Sequence, residues 1–295
     1  MNKTNSPSDG IPERFRREII LHIVKNFSPT NNSYVPLLCG IHGPSGEGKT
    51  FQCERVLQEL GTRIFLISGG QLESDNAGEP ARLIRTTYLN ASKIIEQKES
   101  ATAAIVINDI DTGLGDWGEM VQTTVNRQSV FGELMHLVDY PTSVEGRKTK
   151  RIPIIITGND FTKLYEPLVR PGRMNSFIWR PTIEEKATII ASIFGYLTIH
   201  ECIRLIEELD EEMNLVSKNR TPSLPVAAYT HLKATLLDEQ LWVQISAVGI
   251  EGTVELIRKG LVVKIDDKFS LNEIVSAGKN LIKSGQLVNH LWRNK

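Results

Sequence analysis

The stretch VPLLCGIHGPSGEGKTFQCERVLQELG, residues 35–61, decides how the chain folds. Its opening VPLLCGI (35–41) is a short apolar run of the kind a buried strand needs. Its closing KTFQCERVLQEL (49–60) repeats apolar residues at helical spacing and stops at Gly61. Between them, Gly43 to Thr50 fit G-x-x-x-x-G-K-[ST]. Strand before and helix after is the context that gives this pattern a mechanism. The glycines let backbone N–H groups turn inward around phosphate oxygens, and the helix aims its positive end at them. Lys49 reaches the β- and γ-phosphates, and Thr50 offers a hydroxyl to Mg²⁺. The candidate nucleotide cradle is therefore Gly43, Pro44, Ser45, Gly46, Glu47, Gly48, Lys49 and Thr50, with Phe51 directly after it.

Working outward, strands and helices alternate. FRREIILHIVKNF (15–27) is helical, and PTNNS (29–33) breaks the chain. RIFLISG (63–69), ATAAIVIND (101–109) and RIPIIITGND (151–160) read as further buried strands. EPARLIRTTYLNASKIIEQ (79–97) and VNRQSVFGELMHLVD (125–139) read as the helices between them. This order predicts a parallel sheet covered on both faces, with chemistry at the carboxyl ends of its strands. After Pro181 only helical patterns remain, at 184–197, 200–216, 226–248 and 271–292, with a polar loop at 218–225. Residues 262–270 read as a short hairpin or an extended excursion. The expected divisions are a polar tail over 1–14, an α/β nucleotide-binding domain over 15–180, and a mostly helical domain over 181–295.

Three further signals follow, the first two just past strand ends. IVINDID (105–111) supplies Asp109 and Asp111, with Asn108 ahead of them. A phosphate site needs one carboxylate near the metal and another to polarise the attacking water, so all three are candidates. Asn159, which ends IIITGN, is placed to hydrogen-bond a γ-phosphate or its water. RPGR (170–173) presents Arg170 and Arg173 around a Pro-Gly turn. A guanidinium fork stabilises charge that develops on a transferring phosphate, so these read as arginine fingers offered to a neighbouring subunit.

Composition narrows the alternatives. The 295 residues carry 34 Lys+Arg against 35 Asp+Glu, a net charge of −1, which argues against a sequence-independent nucleic-acid binder. Cys39, Cys53 and Cys202 lie far apart and read as reduced structural thiols. The six histidines make no metal-ligand spacing. No apolar run approaches the roughly 18 residues of a membrane span. The polar start MNKTNSPSDG has no signal-peptide core, so a soluble cytoplasmic protein without membrane or nucleic-acid partners is expected.

The order GPSGEGKT, IVINDID, IIITGND and RPGR resembles the AAA+ ATPases. Within them, HIVKNF (22–27), GEGKTFQCE (46–54), LISGGQLES (66–74), NAGEPARLIR (76–85), INDID (107–111), TVN (124–126), PIIITGNDF (153–161) and LYEPLVRPGRM (164–174) resemble Rubisco activase. The likeness is dense over roughly 20–180. It thins beyond, where LDEQLWV (237–243) and LNEIVSAGKNL (271–281) carry it. The resemblance implies an AAA+ domain with a helical lid, a hexameric ring, and ATP with Mg²⁺ between subunits. It implies Rubisco as partner, freed of tight-binding sugar phosphates. It places Asn108 where most AAA+ proteins have a metal-binding aspartate and Asp109 where they have the catalytic glutamate. Asn159 becomes sensor 1. Loops near 70–79 and 112–124 would face the pore. Association with carboxysomes stays open.

Three features depart from the family pattern. DTGLGDWGEMVQTTVN (111–126) brings Asp116 and Glu119 into the second pore segment, with Thr123 at the approximate place of a tyrosine and Trp117 as the one aromatic beside them. The sensor 2 segment is HLKAT (231–235), where Lys233 supplies one charge toward the nucleotide and Thr235 supplies none. No small-subunit-like segment follows before Lys295, which leaves open a shortened form or one lacking that domain. An alternative to remodelling is therefore a protein that binds or clusters Rubisco with weak ATPase activity.

Overall fold

The structure, a computed structural model, describes residues 10–28, 35–74, 76–114, 124–217, 223–259 and 266–287. The chain divides into two compact units. One spans Glu13–Arg180, and the other comprises the segment before Glu13 and Pro181 onward.

The first unit contains helices α1 (Glu13–Phe27), α2 (Lys49–Glu59), α3 (Glu79–Glu96), α4 (Ile110–Leu114), α5 (Thr124–Asp139) and α6 (Glu166–Val169). Its strands are β1 (Leu38–His42), β2 (Arg63–Ser68), β3 (Ala103–Asn108), β4 (Ser143–Val144), β5 (Arg147–Lys148), β6 (Ile154–Gly158) and β7 (Met174–Ile178). Five strands form one parallel sheet in the order β2-β3-β6-β1-β7, and β4 and β5 make a small antiparallel hairpin. β3 and β6 are almost continuous runs of buried Ala, Ile and Val because both faces of a central parallel strand are covered. Alternate residues go to opposite faces. Leu38, Ile105 and Ile154 join Ile84, Tyr88 and Leu134 of α3 and α5. Phe15 of α1 packs edge-on against Trp179, 4.9 Å between ring centres.

The sequence reading missed β7 and the hairpin. β7 is an edge strand that buries only Met174 fully, so MNSFI has no apolar run to announce it. Helix begins at Glu13, and Ile11 is already buried.

His22 in α1 shows how the network HIVKNF acts. Asn26 Nδ2 donates to the His22 carbonyl at 2.9 Å and to the Pro36 carbonyl at 3.3 Å. Arg151 Nε donates to Asn26 Oδ1 at 2.7 Å, and its fork also reaches the Val35 carbonyl. The helix is thereby tied to the entries of β1 and β6. Burial, reinforced by the Arg151 charge, lowers the His22 pKa to about 3. The folded pKa lies below the unfolded value, so the stability of the neutral buried ring is complete above about pH 6.5. It is lost as pH falls from there toward 3. Denaturant unfolding at pH 7.5 and 5.5 is expected to show a loss of about 1 kcal/mol from this residue, one pKa unit being about 1.4 kcal/mol. His22→Gln should flatten the slope over that interval, and an unchanged slope would mean the ring titrates normally.

The second unit has its own core, built on α7 (Ile183–Phe194), α8 (Ile199–Ser217), α9 (Val226–Arg258) and α10 (Leu271–Lys283). Thr182 with Glu185 and Ser270 with Glu273 form capping boxes that start α7 and α10. Apolar side chains at helical spacing, among them Ile190, Phe194, Leu205, Leu209, Leu232 and Ile282, close the core. α9 runs past its expected end at 248, but Gly249 is non-helical (φ 68°, ψ 179°) and breaks it there. Residues 266–270 form no strand. Among the described residues no single helix is long and apolar enough to cross a membrane.

Candidate nucleotide site

Parallel register brings the carboxyl ends of three strands to one edge. His42 pairs with Gly158 and Ile107 with Ile156, so β1, β6 and β3 deliver Gly43, Asn159 and Asn108–Asp109 side by side. Neighbouring strands lie about 4.8 Å apart, so the cradle and the acidic turn are separated by about 10 Å, with Asn159 between them.

The loop from Gly43 to Gly48 is shaped by backbone that other residues resist. Gly43 has φ 149°, and a Cβ there would lie 2.1 Å from the Trp179 carbonyl oxygen. Gly46 and Gly48 take φ of 79° and 71°. Trp179, fully buried, donates Nε1–H to the Glu47 carbonyl at 2.9 Å and so props the loop from below. Gln52 Nε2 donates to the same carbonyl at 3.2 Å from α2. Within α2 the buried positions Lys49, Gln52, Cys53, Val56 and Leu57 face inward, and Phe51 is 68% exposed.

Lys49 is the centre of the arrangement. Its Nζ donates to the Gly43 carbonyl at 2.9 Å, the Pro44 carbonyl at 2.8 Å and Asn159 Oδ1 at 3.0 Å. Burial lowers its pKa, and the charges of Asp109, Asp111 and Glu47 only partly oppose this. A buried ammonium held mainly by carbonyl dipoles gains from an incoming polyanion, which fits a phosphate cradle. His42, just before the loop, meets Ser176 Oγ at 3.0 Å and stacks on Phe161 at 4.7 Å. Burial lowers its pKa, with Asp160 opposing.

Thr157, unforeseen from the sequence, links the loop to the acidic turn. Its hydroxyl is 3.3 Å from Thr50 Oγ1, donates to Asn108 Oδ1 at 3.3 Å, and accepts the Asp109 backbone N–H at 3.2 Å. Thr50 and Asn108 thus converge on one buried hydroxyl. They are the oxygen donors a hard cation would use, with Asp109 next to them. Asp109 is exposed at the turn and has φ 52°, an uncommon value for a residue with a side chain.

Asp111 has a different setting from Asp109. It is 1% exposed, and its Oδ2 accepts backbone N–H bonds from Asn159 and Asp160, both at 2.9 Å. One oxygen of this carboxylate, which the sequence offered as a metal ligand, is thus taken up by the turn after β6.

The two arginines also part ways. Arg173 donates to the Pro167 carbonyl at 3.0 Å and to Asp139 at 3.2 Å, so its guanidinium is engaged within its own subunit. Arg170 is exposed and makes no side-chain hydrogen bond or ion pair to another described residue. In the helical unit, Lys233 Nζ donates to the Ile193 carbonyl at 2.7 Å. Of the two expected pore segments, Ser74 and Asn76 hydrogen-bond Glu79, and Asn126 Oδ1 accepts the Gly78 N–H. Asp75, Asp116, Trp117, Glu119 and Thr123 lie outside the described residues. Cys39, Cys53 and Cys202 are free and buried, and no group of three or more His, Cys, Asp or Glu side chains placed to hold a metal occurs among the described residues.

Residues 39–182 match the model of the ATPase family associated with various cellular activities (AAA). The chain is 37% identical over 289 residues to a ribulose bisphosphate carboxylase/oxygenase activase of Nostoc sp., covering 95% of this chain and 67% of that relative. It therefore belongs to the Rubisco activase family of AAA proteins. An activase of Anabaena sp. is 40% identical over 247 residues, 82% of this chain and 57% of its own length. A chloroplastic activase of Solanum pennellii is 35% identical over 290 residues, 95% of this chain and 61% of its own. The chain thus spans about three fifths of the length of these relatives. Membership in this family agrees with the five-stranded parallel sheet and the appended helical unit.

Proposed function

We propose that this chain binds and hydrolyses ATP with Mg²⁺ at the β1–α2 loop, and that it spends the energy remodelling Rubisco to release inhibitory sugar phosphates. The observation that carries the hydrolytic reading is the bridge from Lys49 to the loop carbonyls and to Asn159, beside an exposed Asp109. Lys49 and the loop N–H groups hold the β- and γ-phosphates, and Asn159 orients the γ-phosphate or the water. Water attacks the γ-phosphorus and gives up a proton to Asp109. The bond to the β-phosphate oxygen breaks, leaving ADP and phosphate. Mg²⁺, held by Thr50 with Asn108 and Asp109, would neutralise charge on the phosphates. Arg170 acts on the site of a neighbouring copy in a hexameric ring.

Rubisco as the target rests on the names of the relatives. A macromolecular partner also fits the outer part of α9. There Trp242, Val243, Ile250 and Ile257 are exposed, Ile250 at 85% and Ile257 at 74%. Large apolar side chains left exposed along one helical segment are what a partner surface would cover.

The test incubates the protein with ATP and Rubisco blocked by a sugar phosphate, and follows carboxylation and turbidity. ATP-dependent recovery of carboxylation is expected. Co-sedimentation without recovery would reject remodelling in favour of a tether. Lys49→Ala serves as the control. Losing the ammonium from the cradle should abolish ATP binding by calorimetry and with it reactivation. Unchanged binding would move the nucleotide elsewhere.

A further inference from the structure

The acidic turn contains a second carboxylate that the hydrolytic scheme does not use. Asp111 lies in the first turn of α4, two residues beyond Asp109, yet the two side chains have opposite settings. The positive φ at Asp109 leaves that residue exposed, and Asp111 is carried beneath the end of β6. Its Oδ2 accepts the N–H groups of Asn159 and Asp160 at 2.9 Å each. Space for this comes from Gly158, where a Cβ would lie 2.7 Å from Asp111 Oδ1. Two bonds to one ionised oxygen are charge-assisted, and they fix the peptide planes on both sides of the Asn159 Cα. The Asn159 side chain, whose direction follows from that backbone, reaches Lys49 Nζ at 3.0 Å. A continuous line therefore runs from the Asp111 carboxylate through the Asn159 backbone and amide to the Lys49 ammonium and the Gly43 and Pro44 carbonyls.

We infer that Asp111 is a positioning residue for Asn159. It holds the amide at the height where it meets Lys49, and through that contact sets the resting place of the ammonium. The competing role, a direct metal ligand, needs oxygen lone pairs turned toward Thr50. Here Oδ2 is committed to two backbone donors at the end of β6, and Oδ1 is packed against Gly158 at the same strand end. The residue also ties together the two turns that must move as one if Asp109 and Asn159 are to act on the same water. The kinetic part of this inference rests on the proposed ATP hydrolysis, and the structural part does not.

The experiment compares Asp111→Asn and Asp111→Ala with the unaltered chain. Hydrogen exchange in the nucleotide-free protein reads the Asn159 and Asp160 amides. They should exchange faster in Asp111→Ala and near the original rate in Asp111→Asn, whose amide oxygen still accepts. Steady-state ATPase should show kcat down about 10²-fold in Asp111→Ala, the scale of a small misplacement of a reacting group. KM for ATP should be little changed, and Asp111→Asn should recover most of the rate. The Mg²⁺ concentration for half-maximal rate should stay the same in both. A metal ligand would instead raise that concentration in both variants and leave the two amides unaffected, which would overturn the inference. Should Asp111→Ala not fold, the exchange and Mg²⁺ readings of Asp111→Asn still decide between the roles. An unaltered chain that hydrolyses no ATP would reject the hydrolytic reading, and the exchange measurement would still test the positioning role.

Discussion

Asp109→Asn is expected to bind ATP with unaltered affinity and to hydrolyse it about 10²–10⁴-fold more slowly, the usual contribution of a general base. The substitution isolates charge because of the backbone at this position. With φ 52°, residue 109 lies in the left-handed region, which asparagine adopts more readily than most residues. The backbone N–H to Thr157 and the Thr112 bonds to the Asp109 carbonyl, 2.7 Å from the hydroxyl, are made by atoms the variant retains. Shape, turn and a side-chain oxygen for Mg²⁺ are therefore preserved, and basicity is lost. Asp109→Ala would mix that loss with backbone strain. Phosphate release measured beside calorimetric ATP binding separates the two effects. Normal turnover in Asp109→Asn would show that the proton goes elsewhere. Asp111 would be a poor substitute, since its Oδ2 is held by two backbone donors.

How much of this was legible in the sequence differs from residue to residue. The β1–loop–α2 unit is legible because an apolar run, three spaced glycines and a helical pattern must occur in that order to build a phosphate cradle. The central strands are legible because burial on both faces leaves uninterrupted Ile, Val and Ala. β7 is not, since an edge strand with exposed Asn175 and Ser176 looks like a loop. Thr157 is hidden for a related reason. One hydroxyl within IIIT looks like any β-branched strand residue, and its value arises only when β3, β6 and α2 come together. Trp179 reads as a core aromatic, and its bond to the Glu47 carbonyl spans 132 residues of chain. Asp109 and Asp111 cannot be told apart by spacing, because a single positive φ sends their side chains to different surroundings.

Arg170 and Arg173 pose the same problem across the Pro171–Gly172 turn, and they lead to the other large effect expected. Arg170→Ala should bind ATP normally and lose hydrolysis by about 10³–10⁵-fold, the worth of an arginine finger in related phosphoryl transfer. The sequence offered both arginines for this role. The geometry separates them: Arg173 spends its fork on Pro167, Asp139 and Met135, which fixes α5 against the turn, and Arg170 extends from it exposed. Arg173→Ala should therefore lower the melting temperature, because part-buried hydrogen bonds to Pro167 and Met135 are lost with a surface ion pair, whereas Arg170→Ala should not. Action in trans is tested by mixing Arg170→Ala with Lys49→Ala. Each protein alone lacks one half of every site. In mixed assemblies, an intact loop from the first meets an intact arginine from the second at some interfaces, and activity should return there. With a finger worth three orders of magnitude or more, even a small fraction of restored interfaces stands far above either parent. Absence of rescue at every ratio, with mixed assemblies confirmed by mass, would mean that the arginine serves its own subunit or none.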